Sequence, residues 1–306
     1  IDAFFKQFDL SDREKLEITA NKKWLSIHPM VLSMVAALAE TVERSNLRCE
    51  KIEAKSGHYL QRMGLFSFLG MEADSHIAEH DPSGRFIPLT QIRDSTELTR
   101  FVTDMIPLLH LEPAEAEPIQ YIVSELVRNV LEHASTPAGA FVAAQYYKKS
   151  NRVAVGIADT GVGIKTSITV SHDAQNDLDA IQLALTPGIT GMTKREGGTE
   201  LNAGAGLFFI KSIAAVNGDF FVIYSGQAMY KLLKRKKTRR TIFADPFLDR
   251  HSKEADLPYW QGTAVGIDLS LSHTPEFSVL LDVIRDTYAK AIRERKERRH
   301  KQARFI

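Results

Sequence analysis

Residues 153–164 read VAVGIADTGVGI. An alternating apolar strand runs straight into Asp159-Thr160-Gly161-Val162-Gly163. A strand that ends at a carboxylate sets that group at a sheet edge, where it can accept a hydrogen bond from an exocyclic amine such as that of adenine. Gly161 and Gly163 allow backbone torsions with φ > 0 and let the main chain approach a flat base closely. Taken alone, the same residues also describe an ordinary β-turn.

Upstream, residues 119–134 read IQYIVSELVRNVLEHA. Ile122, Val123, Leu126, Val127, Val130 and Leu131 give a helix a broad apolar face. Glu125, Asn129 and His133 are four apart, so they form one polar row along it. Asn129 can offer a hard carbonyl oxygen to Mg²⁺, and Glu125 can orient or deprotonate a nucleophile. A solvated stripe has the same pattern.

Downstream, residues 197–215 read GGTELNAGAGLFFIKSIAA. Gly204, Ala205 and Gly206 stand directly before a helical pattern that begins with Leu207. Glycine-rich backbone feeding a helix N-terminus presents free N–H groups and a positive dipole end, a means of holding phosphates. The segment is no Walker A loop, because no Gly-Lys-Ser/Thr follows, and it lacks the preceding strand of a dinucleotide fingerprint. Ahead of it, Thr193-Lys194 reads as part of a lid from which Lys194 reaches a terminal phosphate. Residues 261–271 (QGTAVGIDLSL) alternate as the domain's closing strand, with Thr263 near its start.

In this order the segments resemble the N, G1 and G2 boxes of the GHKL superfamily, which holds gyrase-type ATPases, chaperones, sensor histidine kinases and anti-sigma-factor kinases. The resemblance implies a Bergerat-type α/β (α+β) two-layer sandwich, with Mg-ATP between a mixed sheet and its helices. Asn129 then matches the Mg²⁺ ligand and Asp159 the adenine-binding aspartate. Gly161 and Gly163 match the base-edge glycines. Gly204, Ala205, Gly206 and Leu207 match the phosphate loop, Thr263 a residue near the adenine, and Glu125 the general base. His133 resembles the histidine that closes the first box in anti-sigma kinases.

The first part of the chain has a β-α-β-α texture: residues 24–27, a helix from Met30 to Val42, an alternating piece at 47–52 and a helix near 58–63. Its order and lengths resemble a STAS domain. The turn Ile27-His28-Pro29-Met30 carries no hydroxyl where a switch serine stands in that family, which implies a docking element for a protein partner. The expected division is therefore a STAS-like αβ domain at 1–85, the ATP domain at 86–275 and a basic helical tail at 276–306, with a linker at 78–84. Residues 86–92 read as a strand and 95–109 as one helix.

Composition sets outer bounds. The 306 residues are 44% hydrophobic and 25% charged, the balance of a globular protein with a real core. A net charge of +1 gives no general reason to invoke nucleic acid or a membrane. Basic residues cluster in 231–240 and 293–304, which could meet an acidic partner, nucleic acid included, or lie solvated. One cysteine, Cys49, excludes an internal disulfide and fits a reducing cytoplasm. No run approaches the ~20 apolar residues of a membrane span.

Three uses of the nucleotide stay open: an ATPase that drives partner exchange, a Ser/Thr kinase of the anti-sigma type, and an ATP-gated module without turnover. His110 lacks the sequence context of a sensor-kinase phosphoacceptor. The roughly 35 residues after Leu271 are too few for a gyrase-type transducer domain, though they could pack against a second subunit in a homodimer.

Overall fold

The computed structural model describes residues 1–7, 14–19, 27–49, 55–71, 84–193, 204–234, 241–271 and 277–302. Lys194, the glycine-rich residues 197–203, residues 235–240 of the basic run, and most of the 78–84 linker lie outside them.

The first elements are α1 (Asp2–Phe5), β1 (Leu16–Ile18), α2 (Pro29–Ala39), β2 (Leu47–Cys49), α3 (Lys55–Arg62) and α4 (Leu65–Leu69). There follow β3 (Phe86–Ile92), α5 (Ser95–Arg100), α6 (Pro113–His133), β4 (Ala140–Tyr147) and β5 (Arg152–Ala158). Next come α7 (Gly163–Thr169), α8 (Asp177–Ala184), α9 (Gly206–Asn217), β6 (Phe221–Gly226) and β7 (Ala228–Leu232). The last are β8 (His251–Glu254), β9 (Trp260–Ser270) and α10 (Phe277–Gln302).

Seven strands form one sheet in the order β3-β4-β5-β9-β6-β7-β8. Every neighbouring pair is antiparallel, where the resemblance implied a mixed sheet. The last strand in the chain, β9, does not close an edge; it lies at the centre between β5 and β6. Helices cover both faces of the sheet here, so β5 from Val153 to Ala158 and β9 from Ala264 to Leu269 are buried residue after residue.

One sheet face carries α6 to α10 and the main core. α6 starts with a reciprocal Glu112/Glu115 capping box and Pro113 at its first position. Its face of Ile119, Ile122, Val123, Leu126, Val127 and Val130 is buried in that core. The first turns of α10 join it through Phe277, Leu280, Leu281 and Ile284, and Tyr288 meets Phe208 and Phe209 of α9. The tail helix is thus partly built into the sandwich.

The opposite face is covered by α2, from the part of the chain read as a separate unit. Met30, Met34, Ala36 and Ala37 share a cluster with Phe141 of β4, Ala158 of β5 and Ala264 of β9, while Val31 and Leu32 meet α3 and α4. An apolar helix buried all round needs two partners, and the sheet is one of them. The approach is close because Gly156 and Gly266 face each other on β5 and β9. A β-carbon on Gly156 would overlap the Met30 main chain.

Polar groups fix the same contact. His28 caps α2 by accepting from the Met30 N–H at 3.1 Å, and its Nε2 lies 3.2 Å from Asp268 Oδ1 on β9. The buried Ser33 hydroxyl donates to the Gly156 carbonyl at 3.0 Å. Burial pushes the Asp268 carboxyl up, but the His28 bond and the charges of Arg152 and Lys234 outweigh it, so the group titrates below the usual range. Lys234 and Lys231 of the basic run are both paired, with Asp268 and Asp2. β1 and β2 form a small parallel sheet.

The helix expected at 95–109 spans that range but changes type along it. After α5 come a wide π-type turn, Phe101–Met105, and a tight 3-10 turn, Ile106–Leu109, closed by His110 at φ 51°. Pro107 is the cause: it has no N–H for the ladder, and its ring clashes with the carbonyl four residues back.

Candidate functional site

Asp159 follows the last residue of β5, and only 1% of it is exposed. Its Oδ1 accepts from the Gly161 N–H at 2.8 Å and its Oδ2 from the Thr263 N–H at 3.2 Å. Burial is the largest influence and raises its pKa to about 7, against the lowering effect of the two main-chain bonds. The turn that follows is tightly fitted. Gly161 packs so closely on the end of α6 that a β-carbon would overlap the Ala134 carbonyl, which already accepts from the Val162 N–H at 2.8 Å. Gly163 opens α7 at φ 78°, in the left-handed region that glycine tolerates.

The carboxylate lies at the wall of a cleft of about 260 Å³ between the sheet and the helical layer. Ile157, Ile164, Ile168, Ile189 and Val265 supply apolar lining. A slot with apolar sides and one anchored acceptor suits a flat ring that carries an amine at its edge.

The cleft's other side is α6. Glu125, Asn129 and His133 all line it, as the spacing of four requires. Burial raises the Glu125 pKa, and Arg128, 2.8 Å away, opposes it. Burial lowers that of His133. The Asn129 Nδ2 is buried without a hydrogen-bond partner among the described residues. A buried carboxamide end with nothing to bind is costly unless a ligand or water meets it.

Gly204, Ala205, Gly206 and Leu207 line the same cleft at the start of α9, whose N-cap residue, Ala205, has no side chain with which to cap the helix. A β-carbon on Gly206 would stand 2.7 Å from Glu125 Oε2, so the positive end of this helix meets the carboxylate. The Gly188 N–H donates to the Gly204 carbonyl at 3.1 Å and joins the two sides of the rim. The structure therefore brings Glu125, Asn129, Asp159, Gly163, Gly204, Ala205, Gly206, Leu207 and Thr263 to one cleft, with Gly161 directly behind Asp159.

Residues 90–216 match the family model of the histidine kinase-like ATPase domain. This segment is a histidine kinase-like ATPase domain. The match runs from β3 to the end of α9, while Thr263 and the rest of β9 lie beyond it. No curated protein and no solved structure matches the chain. Among the described residues no helix is long and apolar enough to cross a membrane.

Two contributors escape a reading of the sequence. Ser225 on β6 accepts from the Ile164 N–H at 3.0 Å and donates to the Gly262 carbonyl at 2.6 Å, which ties α7 to the start of β9. Its only local signal is the Ser-Gly pair before a hairpin. Lys211 of this ATPase domain is fully buried on α9, 2.8 Å from Asp249 Oδ2 and 3.0 Å from the Phe243 carbonyl. Burial lowers its pKa, which the Asp249 charge and hydrogen bond oppose. The pair holds the 243–249 segment against the helix.

Proposed function

We propose that the cleft binds Mg-ATP and that the protein uses the nucleotide to switch or modify a protein partner. One observation carries the reading: a buried carboxylate, with both oxygens bonded to main-chain N–H groups, in a cleft that is apolar around Ile157, Ile164 and Val265 and holds Glu125, Asn129 and the start of α9 on its other side. Asp159 accepts a hydrogen bond from the adenine amine, with Thr263 beside it and Gly161 and Gly163 shaping the base edge. The N–H groups around Gly204, Ala205, Gly206 and Leu207 face the phosphates. Lys194 is assigned to the terminal phosphate on the sequence alone.

Asn129 is the proposed Mg²⁺ ligand through its carbonyl oxygen, and its buried Nδ2, which has no hydrogen-bond partner among the described residues, is placed to donate to a phosphate oxygen. Once bound, the ion neutralises phosphate charge. Glu125 takes the proton of the attacking water or partner hydroxyl as that oxygen bonds to the γ-phosphorus and the bond from the phosphorus to the ADP oxygen breaks. Burial and the α9 terminus hold this carboxylate against the cleft. The N-terminal segment, kept as the STAS-like unit at 1–85, is the proposed partner-docking element. The setting proposed is the cytoplasm.

Calorimetric titration with Mg-ATP tests the site, and absence of binding would overturn the reading. Incubation with γ-labelled ATP separates its uses. Free phosphate marks hydrolysis, label on a partner's Ser or Thr marks a kinase, and binding with neither marks a gated module.

A further inference from the structure

Glu125 does not stand in the cleft as a lone carboxylate. Arg128, one turn further along α6, brings its Nη1 to 2.8 Å from Glu125 Oε1, and both side chains line the cleft. The two are not equally held. The Glu125 side chain is 23% exposed and lies against the start of α9, whereas that of Arg128 is 53% exposed. One partner is fixed by packing, and the other is free to swing on a long stem.

A carboxylate paired with a guanidinium is a weakened proton acceptor, because the pairing favours its ionised form. A triphosphate carries more charge than a carboxylate, and the planar guanidinium matches phosphate oxygens two at a time. We propose that Arg128 exchanges partners: it holds Glu125 while the cleft is empty and moves to the nucleotide's outer phosphates when the cleft fills, leaving Glu125 free to accept a proton. This rests on the reading of the cleft as an ATP site with Glu125 as base.

The charged and titratable groups around Glu125 are Arg128, Glu132 and Tyr121 on α6, with Arg285 of α10 acting on Tyr121. From α9 it meets main chain at Gly206. Burial raises the Glu125 pKa, Arg128 lowers it and Glu132 raises it, so departure of Arg128 makes the carboxylate more basic. That is the direction proton acceptance needs.

The test uses the full chain and Arg128→Gln, with Arg128→Lys as a second variant and unfolding without nucleotide as the check on folding. In calorimetric titrations, Arg128→Gln is expected to weaken Mg-ATP by roughly tenfold or more, the scale of a charge-assisted hydrogen bond, and to leave AMP unchanged. Arg128→Lys recovers part of the loss. In turnover, the acid limb of kcat/KM reports the empty protein and moves to higher pH in Arg128→Gln; the limb of kcat reports the filled one and stays. Equal ATP affinity in variant and parent overturns the exchange, and so do two limbs that move together. A parent that binds no ATP overturns the nucleotide reading itself, a result distinct from both.

Discussion

The Asp159 N–H donates to the Thr263 carbonyl at 2.9 Å, and the Thr263 N–H returns a hydrogen bond to Asp159 Oδ2 at 3.2 Å. The end of β5 and the start of β9 thereby close a small ring around the carboxylate. Gly161 holds the other oxygen. The direction of this acceptor is set by the sheet and its turn, so a ligand finds it already oriented.

Asp159→Asn replaces a two-oxygen acceptor by an amide with one oxygen, in a place where two N–H groups converge. We expect nucleotide affinity to fall by about 10- to 100-fold, the range of a lost charge-assisted hydrogen bond. Calorimetry against ATP checks this, and an affinity equal to the parent's would remove Asp159 from the base-recognition role. Some stability is lost as well, so thermal unfolding without nucleotide is the control.

The raised Asp159 pKa predicts opposite pH trends for stability and binding. Between the unfolded pKa near 4 and the folded value of about 7, the folded state holds a proton that the unfolded state has released. Its contribution to stability is present below that window and is lost as pH rises through it. Nucleotide affinity rises over the same interval and levels off above about 7, because the amine donor favours the carboxylate. Titrations from pH 5.5 to about 8.5, with unfolding curves beside them, would show whether the two trends cross.

Glu125→Gln keeps the shape of the side chain and removes its basicity. Binding should persist, while turnover drops by about 10²- to 10⁴-fold, the usual weight of a general base. ADP release measured under saturating ATP decides it; unchanged turnover would take Glu125 out of the chemistry.

Gly156→Ala tests the seating of α2. The added carbon overlaps the Met30 main chain, and the expected cost is about 1–3 kcal/mol, as for overpacked cores. Urea unfolding gives the loss. Hydrogen exchange should find it concentrated in α2, and a uniform loss across the sheet would argue against this contact.

Lys211→Met leaves Asp249 buried without its cation and should destabilise by about 3–5 kcal/mol. Pairing it with Asp249→Leu should recover much of that. A double variant no better than the single one would show that the ion pair is not what binds this segment to α9.

Much of the site was legible because its parts are contiguous and chemically loud. A helix with Glu125 and Asn129 four apart, a strand running into Asp159 and glycines ahead of Leu207 each declare local geometry, and the structure gathers them around one cleft. What stayed hidden is non-local. The apolar residues of α2 say that it is buried but not against which sheet. The alternation of β9 says strand, but its neighbours depend on pairings with residues about a hundred positions earlier, as between Ala158 and Ala264. Ser225 is an unremarkable strand serine until Gly262 and Ile164 close on it. The change from α to π and 3-10 geometry after α5 shows how one proline alters the winding of a helix without ending it at once.

The central place of β9 has a consequence for biosynthesis. Until residues 260–270 leave the ribosome, β3-β4-β5 and β6-β7-β8 are two half-sheets with exposed inner edges, and no strand pairing yet joins them. The strand that arrives last is the one that welds them together. A nascent chain is therefore expected to stay competent for chaperones, and unable to retain ATP, until nearly all of it has been translated.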